Sequence, residues 1–293
     1  MIVLSMITYN SYTKMRSSIG LKSVLDSTLQ VPYKAVILVD DSTDETAEVV
    51  KKWCDERGKE LVVTRSRLYG YQRPTRATAR QTAIDIFFES FSDEWLMFVD
   101  DDAYLRNGWW DEARQHIDNP KVGLVWGINW DADPERLEYL KYFGVDYRAY
   151  LIRAFEVRGG LHDTMLRRKA IEGIKIRPEL HVLEDGYVKW WVQCRGWEIR
   201  ILETGIMHYN PWRPGDIYRN LKQLRDSIEI GWRYGIVDAV FSTDAHTEYR
   251  GLLKPALGVL RPIAGFVLFL PKAMKTVGSR PISTDRCSSL ETG

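Results

Sequence analysis

Apolar and polar positions follow two rhythms along the first hundred residues. Short apolar, β-rich runs at residues 2–7, 35–39, 61–64 and 95–99 predict buried strands. Between them, apolar residues recur at three- and four-residue spacing, which predicts helices. Ile19, Leu21, Val24, Leu25 and Leu29 mark one over 17–29. Val49, Val50, Trp53 and Cys54 mark a second, with Ser42 or Thr43 as its cap and Gly58 as its stop. Ala83, Ile84, Phe87, Phe88 and Phe91 mark a third over 75–91. Further on the pattern loosens into strand-like stretches at 122–126 and 197–202 and helix-like ones at 167–172, 184–192 and 216–234.

Strands alternating with helices predict an α/β fold, a Rossmann-like, mostly parallel sheet with helices on both faces. In such sheets ligands bind at the carboxyl ends of the strands. Three polar clusters, Thr8–Ser11, Asp40–Thr43 and Asp100–Asp102, each follow a predicted strand, so they are expected to meet on one rim.

The 293-residue chain is 45% hydrophobic and 28% charged, which suits a globular protein and excludes a wholly disordered one. A net charge of +1 gives no global basic field, so nucleic acid is not an expected partner. The charge is unevenly spread, however. Arg250, Lys254, Arg261, Lys272, Lys275 and Arg280 face no acidic residue between 249 and 284, and the remainder of the chain is net acidic. Cys54, Cys194 and Cys287 are odd in number and far apart, which predicts neither a disulfide framework nor a zinc site and fits a reducing compartment. The opening MIVLSMITYN reads as a first strand rather than a signal peptide.

Three carboxylates directly after a buried strand repel one another unless a cation neutralises them. Mg2+ or Mn2+ does so while leaving positions open for a diphosphate. The alternative for Asp100, Asp101 and Asp102 is a solvated acidic helix start, and the aromatic Trp109-Trp110 that follows favours a site.

Several segments in order carry a resemblance. Residues 3–10 (VLSMITYN) look like the first strand of the family 2 glycosyltransferases of GT-A fold. Residues 37–46 (ILVDDSTDET) are similar to that family's VVDDxSxDxT segment, and 98–102 (FVDDD) to its DxD metal motif. Residues 164–168 (TMLRR) resemble its FRR element, and 183–186 (LEDG) with Trp190, Trp191 and Arg195-Gly196-Trp197 resemble its ED…RG[WY] block. The strict QxxRW block of processive synthases is absent, since Arg195 stands two residues after Gln193, which implies transfer of a single sugar.

The resemblance implies roles residue by residue. Asp41 would meet the nucleobase, with Thr8 and Tyr9 beside the same nucleotide. Asp100 and Asp101 would lie by the donor, Asp100 at the ribose, and Asp102 would hold Mn2+ or Mg2+. An arginine among Arg73, Arg76 and Arg80 would reach toward the diphosphate. Asp185 would be the base that deprotonates the acceptor hydroxyl, with Glu184, Trp190 and Trp191 on the acceptor side. His208 would be a further metal ligand, and its alternative is a structural histidine.

Together these readings describe a metal-dependent inverting enzyme acting on a GDP- or UDP-sugar. A polyprenyl-phosphate sugar synthase on the same fold and a nucleotide-binding scaffold without activity are the alternatives. The expected division is a catalytic domain over 1–210 and a C-terminal helical extension over 211–293. Residues 252–275 mix apolar runs with Lys254, Arg261 and Lys272 and are broken by Pro255, Pro262 and Pro271. The apolar run between Arg261 and Lys272 would reach about 15 Å as helix, half of a hydrocarbon core about 30 Å thick. The segment therefore predicts peripheral attachment to an anionic membrane from the cytoplasm, and with it a lipid-linked or glycan acceptor.

Overall fold

The computed structural model describes residues 1–14, 18–131, 146–208 and Cys287. The core is one mixed sheet in the order β3-β2-β1-β4-β7-β6-β8-β5. Its strands are β1 (Ile2–Thr8), β2 (Tyr33–Asp40), β3 (Glu60–Thr64), β4 (Trp95–Phe98), β5 (Ala103–Leu105), β6 (Val122–Asp131), β7 (Met165–Arg167) and β8 (Glu198–His208). β1 runs parallel to β2 and β4, β2 to β3, and β6 to β8, whereas β7 is antiparallel to β4 and β6. Because β7 reverses twice, β6 and β8 point the same way as β1, β2 and β4. Their carboxyl ends therefore share one rim.

Helices cover both faces: α1 (Ser11–Lys14), α2 (Ser18–Ser27), α3 (Thr46–Glu56), α4 (Arg76–Ser90), α5 (Trp109–Ile117), α6 (Tyr147–Arg158) and α7 (Glu184–Cys194). The two-residue period of the strands divides the core. Ala35, Ile37 and Val39 face one apolar layer with Ala83, Phe87, Val188 and Val192. Val36 and Leu38 face the other with Leu21, Val50, Trp53 and Trp109. Leu38 is fully buried, so truncating it to Ala would cost ~2–5 kcal/mol.

The predicted strands and helices of the first hundred residues are all present, within two or three residues of their expected ends. Several details differ. Neither Ser42 nor Thr43 caps α3; the Asp44 carboxylate accepts from Thr46 N–H at 3.2 Å, and Ser42 and Thr43 are spent on Asp40 and Asn10. The stretch read as a helix over 167–172 is the end of β7 followed by one 3-10 turn at Arg168–Ala170, because Arg167 is drawn back into the sheet by bonds to Val122 O and Ile117 O. β5, α5 and α6 were not anticipated.

The expectation of no disulfide is corrected: Cys194, the last residue of α7, is joined to Cys287 with their Cα atoms 5.3 Å apart. A separation of 93 residues hides that proximity from the sequence. Cys54 is free and buried, and burial pushes its thiol up to about 11. No helix among the described residues is long and apolar enough to cross a membrane. The expected helix at 216–234 and the basic, apolar segment at 252–275 lie outside the described residues.

Candidate active site

The three polar clusters meet on the rim. At the end of β1, the Thr8 hydroxyl donates to Asp40 Oδ1 at 2.6 Å. Asn10 takes a positive φ of 53°, and its N–H donates to Ser42 Oγ at 2.7 Å. Ser11 Oγ donates to Asp101, which also lies 3.8 Å from Lys14 Nζ. Thr8 and Asp40 are buried and bonded to each other, so Thr8 braces the β1–β2 junction. Tyr9 beside it is 59% exposed, with Lys14 Nζ 5.7 Å from its ring centroid.

Asp41 projects from the end of β2 toward the loop after β3. Its two carboxylate oxygens accept from Ser66 N–H at 3.1 Å and Ser66 Oγ–H at 2.5 Å. Ser66 carries no motif, and sequence reading passed over it.

A candidate metal centre stands where β4 ends. One ligand atom each from Asp100, Asp102 and His208 lie within 4.8 Å of one another. His208 Nε2 is 2.7 Å from Asp102 Oδ1, and Asn129 Nδ2 sits 3.4 Å from the other ring nitrogen. The backbone delivers His208 through a bulge. Pairing between β6 and β8 slips between Gly127 and Asn129, and Gly205 takes φ of 52° where a Cβ would lie 1.9 Å from Ile128 O. The Glu112 carboxylate accepts from the Glu203 and Thr204 N–H groups freed by the bulge, at 2.8 and 2.9 Å.

The charges at this centre are strongly coupled. Burial works to raise the Asp100 carboxyl, yet the Arg80 guanidinium together with His208 and His162 outweighs it and holds Asp100 down at about 2. Asp101 is pushed up to about 6 by burial and by the negative charge of Asp102. Burial works to lower His208, but Asp102, with Asp100 and Asp101 behind it, drives it up to about 9. Acidic groups crowded enough to need a proton on His208 are groups that a divalent cation would neutralise.

Arg80 is 1% exposed, with Nη2 2.5 Å from Asp100 Oδ1 and its guanidinium 4.7 Å above the Phe98 ring. It fixes Asp100 from beneath rather than reaching an open diphosphate site. Arg76 remains half-exposed, its Nε 3.3 Å from Glu184 and bonded to His181 O. Arg73 is exposed on the loop before α4.

Across the rim, α7 opens with Glu184 and Asp185. Glu184 is 2% exposed and tied to Arg76; burial and the adjacent Asp185 push its carboxyl up to about 7. Asp185 is half-buried, and its Oδ1 has no hydrogen-bond partner among the described residues. Gly159, at φ 71°, lets the end of α6 press on this turn: a Cβ there would stand 2.5 Å from Asp185 O. Trp190 and Trp191, expected on the acceptor side, are not exposed on the rim. They are buried in the apolar core because α7 is covered on nearly all sides, and Arg195 stacks 3.8 Å from the Trp191 ring.

A short tract links the two halves of the site. His162 O accepts from Asp100 N–H at 3.0 Å, and buried Asp163 accepts from Trp109 Nε1–H at 2.7 Å. A lone His-Asp pair in a loop gives no sequence signal for this role.

The sequence pattern described as Glycosyl transferase family 2 matches residues 4–173. No curated protein matches the chain. Among solved structures, S. aureus TarS is 19% identical with a TM-score of 0.50, covering 78% of this chain and 39% of its own, so this chain spans about two fifths of TarS. The mannosyltransferase PcManGT from Pyrobaculum calidifontis, in complex with GDP-Man and Mn2+, is 15% identical with a TM-score of 0.54, over 99% of this chain and 84% of that one. Glucosyl-3-phosphoglycerate synthase from Mycobacterium tuberculosis, in complex with Mn2+, UDP and phosphoglyceric acid, is 16% identical with a TM-score of 0.51, over 86% and 81%. These likenesses are of fold.

Proposed function

Given that this chain belongs to glycosyl transferase family 2, we propose that this glycosyltransferase moves one sugar, with inversion, from a GDP- or UDP-sugar to an acceptor hydroxyl. Residues 1–210 form its catalytic domain and 211–293 an extension. The observation that carries the reading is the grouping of Asp100, Asp102 and His208 within 4.8 Å, on the rim that also holds Asp185 with an unpartnered carboxylate oxygen.

The donor set, two carboxylates and an imidazole braced by Asn129, fits Mn2+ or Mg2+. Asp102 and His208 would hold it, with Asp100 beside them. A bound divalent cation neutralises charge developing on the departing diphosphate. The Mn2+ in the PcManGT and glucosyl-3-phosphoglycerate synthase structures supports that choice.

The protein's own groups do the rest. Arg80 keeps Asp100 ionised and in place, and Tyr9 and Asp41 receive the nucleobase. Half-exposed Arg76 stands at the mouth, close enough to the acids to offset their repulsion of a phosphate. The Asp185 carboxylate accepts the proton from the acceptor hydroxyl as that oxygen attacks the anomeric carbon, which needs an approach of about 2.6–3.2 Å. A polyprenyl-phosphate acceptor is already anionic and needs no base, so the unpartnered Asp185 oxygen favours a hydroxyl acceptor. The basic, apolar segment at 252–275 supports a lipid-linked or membrane-presented acceptor.

The test is hydrolysis and transfer with a panel of nucleotide-sugars, with and without Mn2+. Release of nucleoside diphosphate that depends on the metal supports the reading, and equal turnover in excess chelator overturns it.

A further inference from the structure

Asp163 is a fully buried carboxylate that the proposed transfer does not use. Its Oδ2 accepts from Trp109 Nε1–H at 2.7 Å, and its Oδ1 lies 2.8 Å from His162 Nδ1. Neither Oδ1 nor Nδ1 has a hydrogen bond elsewhere among the described residues, so each answers the other. On the far side of the ring, His162 Nε2 accepts from Trp126 Nε1–H at 3.2 Å, and Trp126 is stacked on Phe155 with ring centroids 4.0 Å apart. An indole N–H only donates, which places the His162 proton on Nδ1, facing the carboxylate. The tract therefore runs between two donors. An ionised acid beside a neutral imidazole is the state that gives every donor in it an acceptor.

Two stretches of backbone meet around this carboxylate, and each leads to a proposed metal ligand. On one side, residues 162–164 continue the β4–β7 pairing: Phe98 N–H donates to Thr164 O at 2.9 Å and Asp100 N–H to His162 O at 3.0 Å. The Thr164 hydroxyl closes the same turn on Gly160 O at 2.7 Å. On the other side stands the bulge between β6 and β8. A Cβ on Gly127 would collide with Asp163 Oδ2 and come within 2.7 Å of Gly205 Cα, so the carboxylate fills the space that Gly127 leaves open at the bulge. Trp109 completes the grip, because it opens α5, the helix whose Glu112 takes the N–H groups that the bulge frees. The Asp100 turn and the His208 strand are thus registered on one buried group.

We infer that Asp163 is a positioning residue for the metal centre: anchored by Trp109, it sets the turn that presents Asp100 and the bulge that presents His208. It stands outside the ligand cluster and acts through the main chain at His162 and through Trp109. The inference rests on the reading of Asp100, Asp102 and His208 as a site for Mn2+ or Mg2+ and adds what holds that site in shape. An amide could not replace the acid. It brings one more donor into a tract already closed by a donor at each end, so two N–H groups would face each other whichever nitrogen of His162 carries the proton.

The experiment is an electron paramagnetic resonance titration of the full chain with Mn2+ alone, on wild type, Asp163→Asn and Trp109→Phe, well below each protein's melting temperature. Asp163→Asn should weaken Mn2+ binding by ~10-fold or more. Trp109→Phe keeps the charge of Asp163 and removes the anchoring N–H, and should weaken Mn2+ binding by ~3-fold or more. The double variant should lose little beyond Asp163→Asn alone, because both changes break one chain. Loss in Asp163→Asn with wild-type affinity in Trp109→Phe would mean that the carboxylate acts through its charge, and overturns the inference. Wild-type affinity in both variants, with lowered melting temperatures, leaves a structural role and also overturns it. If Asp163→Asn does not fold, Trp109→Phe decides alone. Failure of the wild type to bind Mn2+ overturns the reading of the metal centre itself.

Discussion

His208 Nε2 lies 2.7 Å from Asp102 Oδ1, although 106 residues separate them. The bulge at Gly205 and the slip in register before Asn129 make that meeting possible, because a regular β8 would carry His208 to another level of the rim. The pair brings the end of β4 and the end of β8 to one point, and its chemistry is directly testable.

Asp102→Ala should abolish transfer and remove the metal dependence of donor binding. The variant takes away a carboxylate that neighbours His208 and leaves the Arg80–Asp100 pair untouched. Calorimetry with Mn2+ and donor, alongside the transfer assay, checks it. Retention of Mn2+-dependent donor binding would place the cation elsewhere.

Asp185→Asn separates binding from chemistry. Asn keeps the shape but cannot take a proton, so kcat should fall at least ~10²-fold while donor affinity stays within about twofold of wild type. Normal turnover would remove Asp185 from the base role and raise the polyprenyl-phosphate alternative.

The first half of the fold was legible because three of its four strands, β1, β2 and β4, are buried on both faces and its helices stop at clear signals such as Gly58. The gathering of Thr8–Ser11, Asp40–Thr43 and Asp100–Asp102 followed from strand order alone, and the bonds Thr8–Asp40 and Ser11–Asp101 bear it out. What local pattern could not show depends on long-range packing. Arg80 reads as one of three arginines near a helix start that could reach toward a diphosphate, yet it is buried under Asp100. Trp190 and Trp191 read as an aromatic platform beside the acids, yet α7 turns them into the core. Ser66 and Asn129 carry no motif, and only the folded chain reveals what they hold.

Arg80→Met should destabilise the protein by about 3 kcal/mol, the low end for breaking a buried pair because Asp100 is partly exposed. Methionine fills most of the space over Phe98 but leaves Asp100 without its counter-ion. Chemical denaturation measures the loss, and the free Asp100 carboxyl should titrate above its present value of about 2. Unchanged stability would mean that Asp100 relaxes into solvent without cost.

Glu184 makes stability depend on pH. Burial and the charge of Asp185 raise its carboxyl from 4.5 to about 7 in the folded chain, against the pull of Arg76. Between those values the folded state holds a proton that the unfolded state has lost, so stability falls as pH rises from about 4.5 to 7 and then levels off. Glu184→Gln keeps the neutral shape and should flatten this slope, seen as a smaller loss in urea midpoint between pH 5 and pH 8. An unchanged slope in the variant would show that Arg76 keeps Glu184 ionised throughout.

The last prediction concerns the C-terminal segment and rests on its sequence. Residues 252–275 set short apolar pieces between Lys254, Arg261 and Lys272, with Pro255, Pro262 and Pro271 breaking any long helix. Basic side chains at the edges of such pieces meet anionic headgroups while the apolar ones enter the acyl boundary. Ordinary packing on the core would not require six basic residues unaccompanied by an acid. A chain ending at Tyr249 also loses Cys287, so Cys194→Ser is introduced to prevent a stray thiol, and full-length Cys194→Ser serves as the control. The shortened chain should keep its melting profile and bind donor with Mn2+, but no longer sediment with vesicles containing phosphatidylserine. The full-length control should sediment at low salt and be released as salt screens the attraction, over a Debye length of about 8–10 Å at 0.1–0.15 M. If the full-length control ignores such vesicles at low salt, the peripheral attachment fails and a soluble acceptor takes its place.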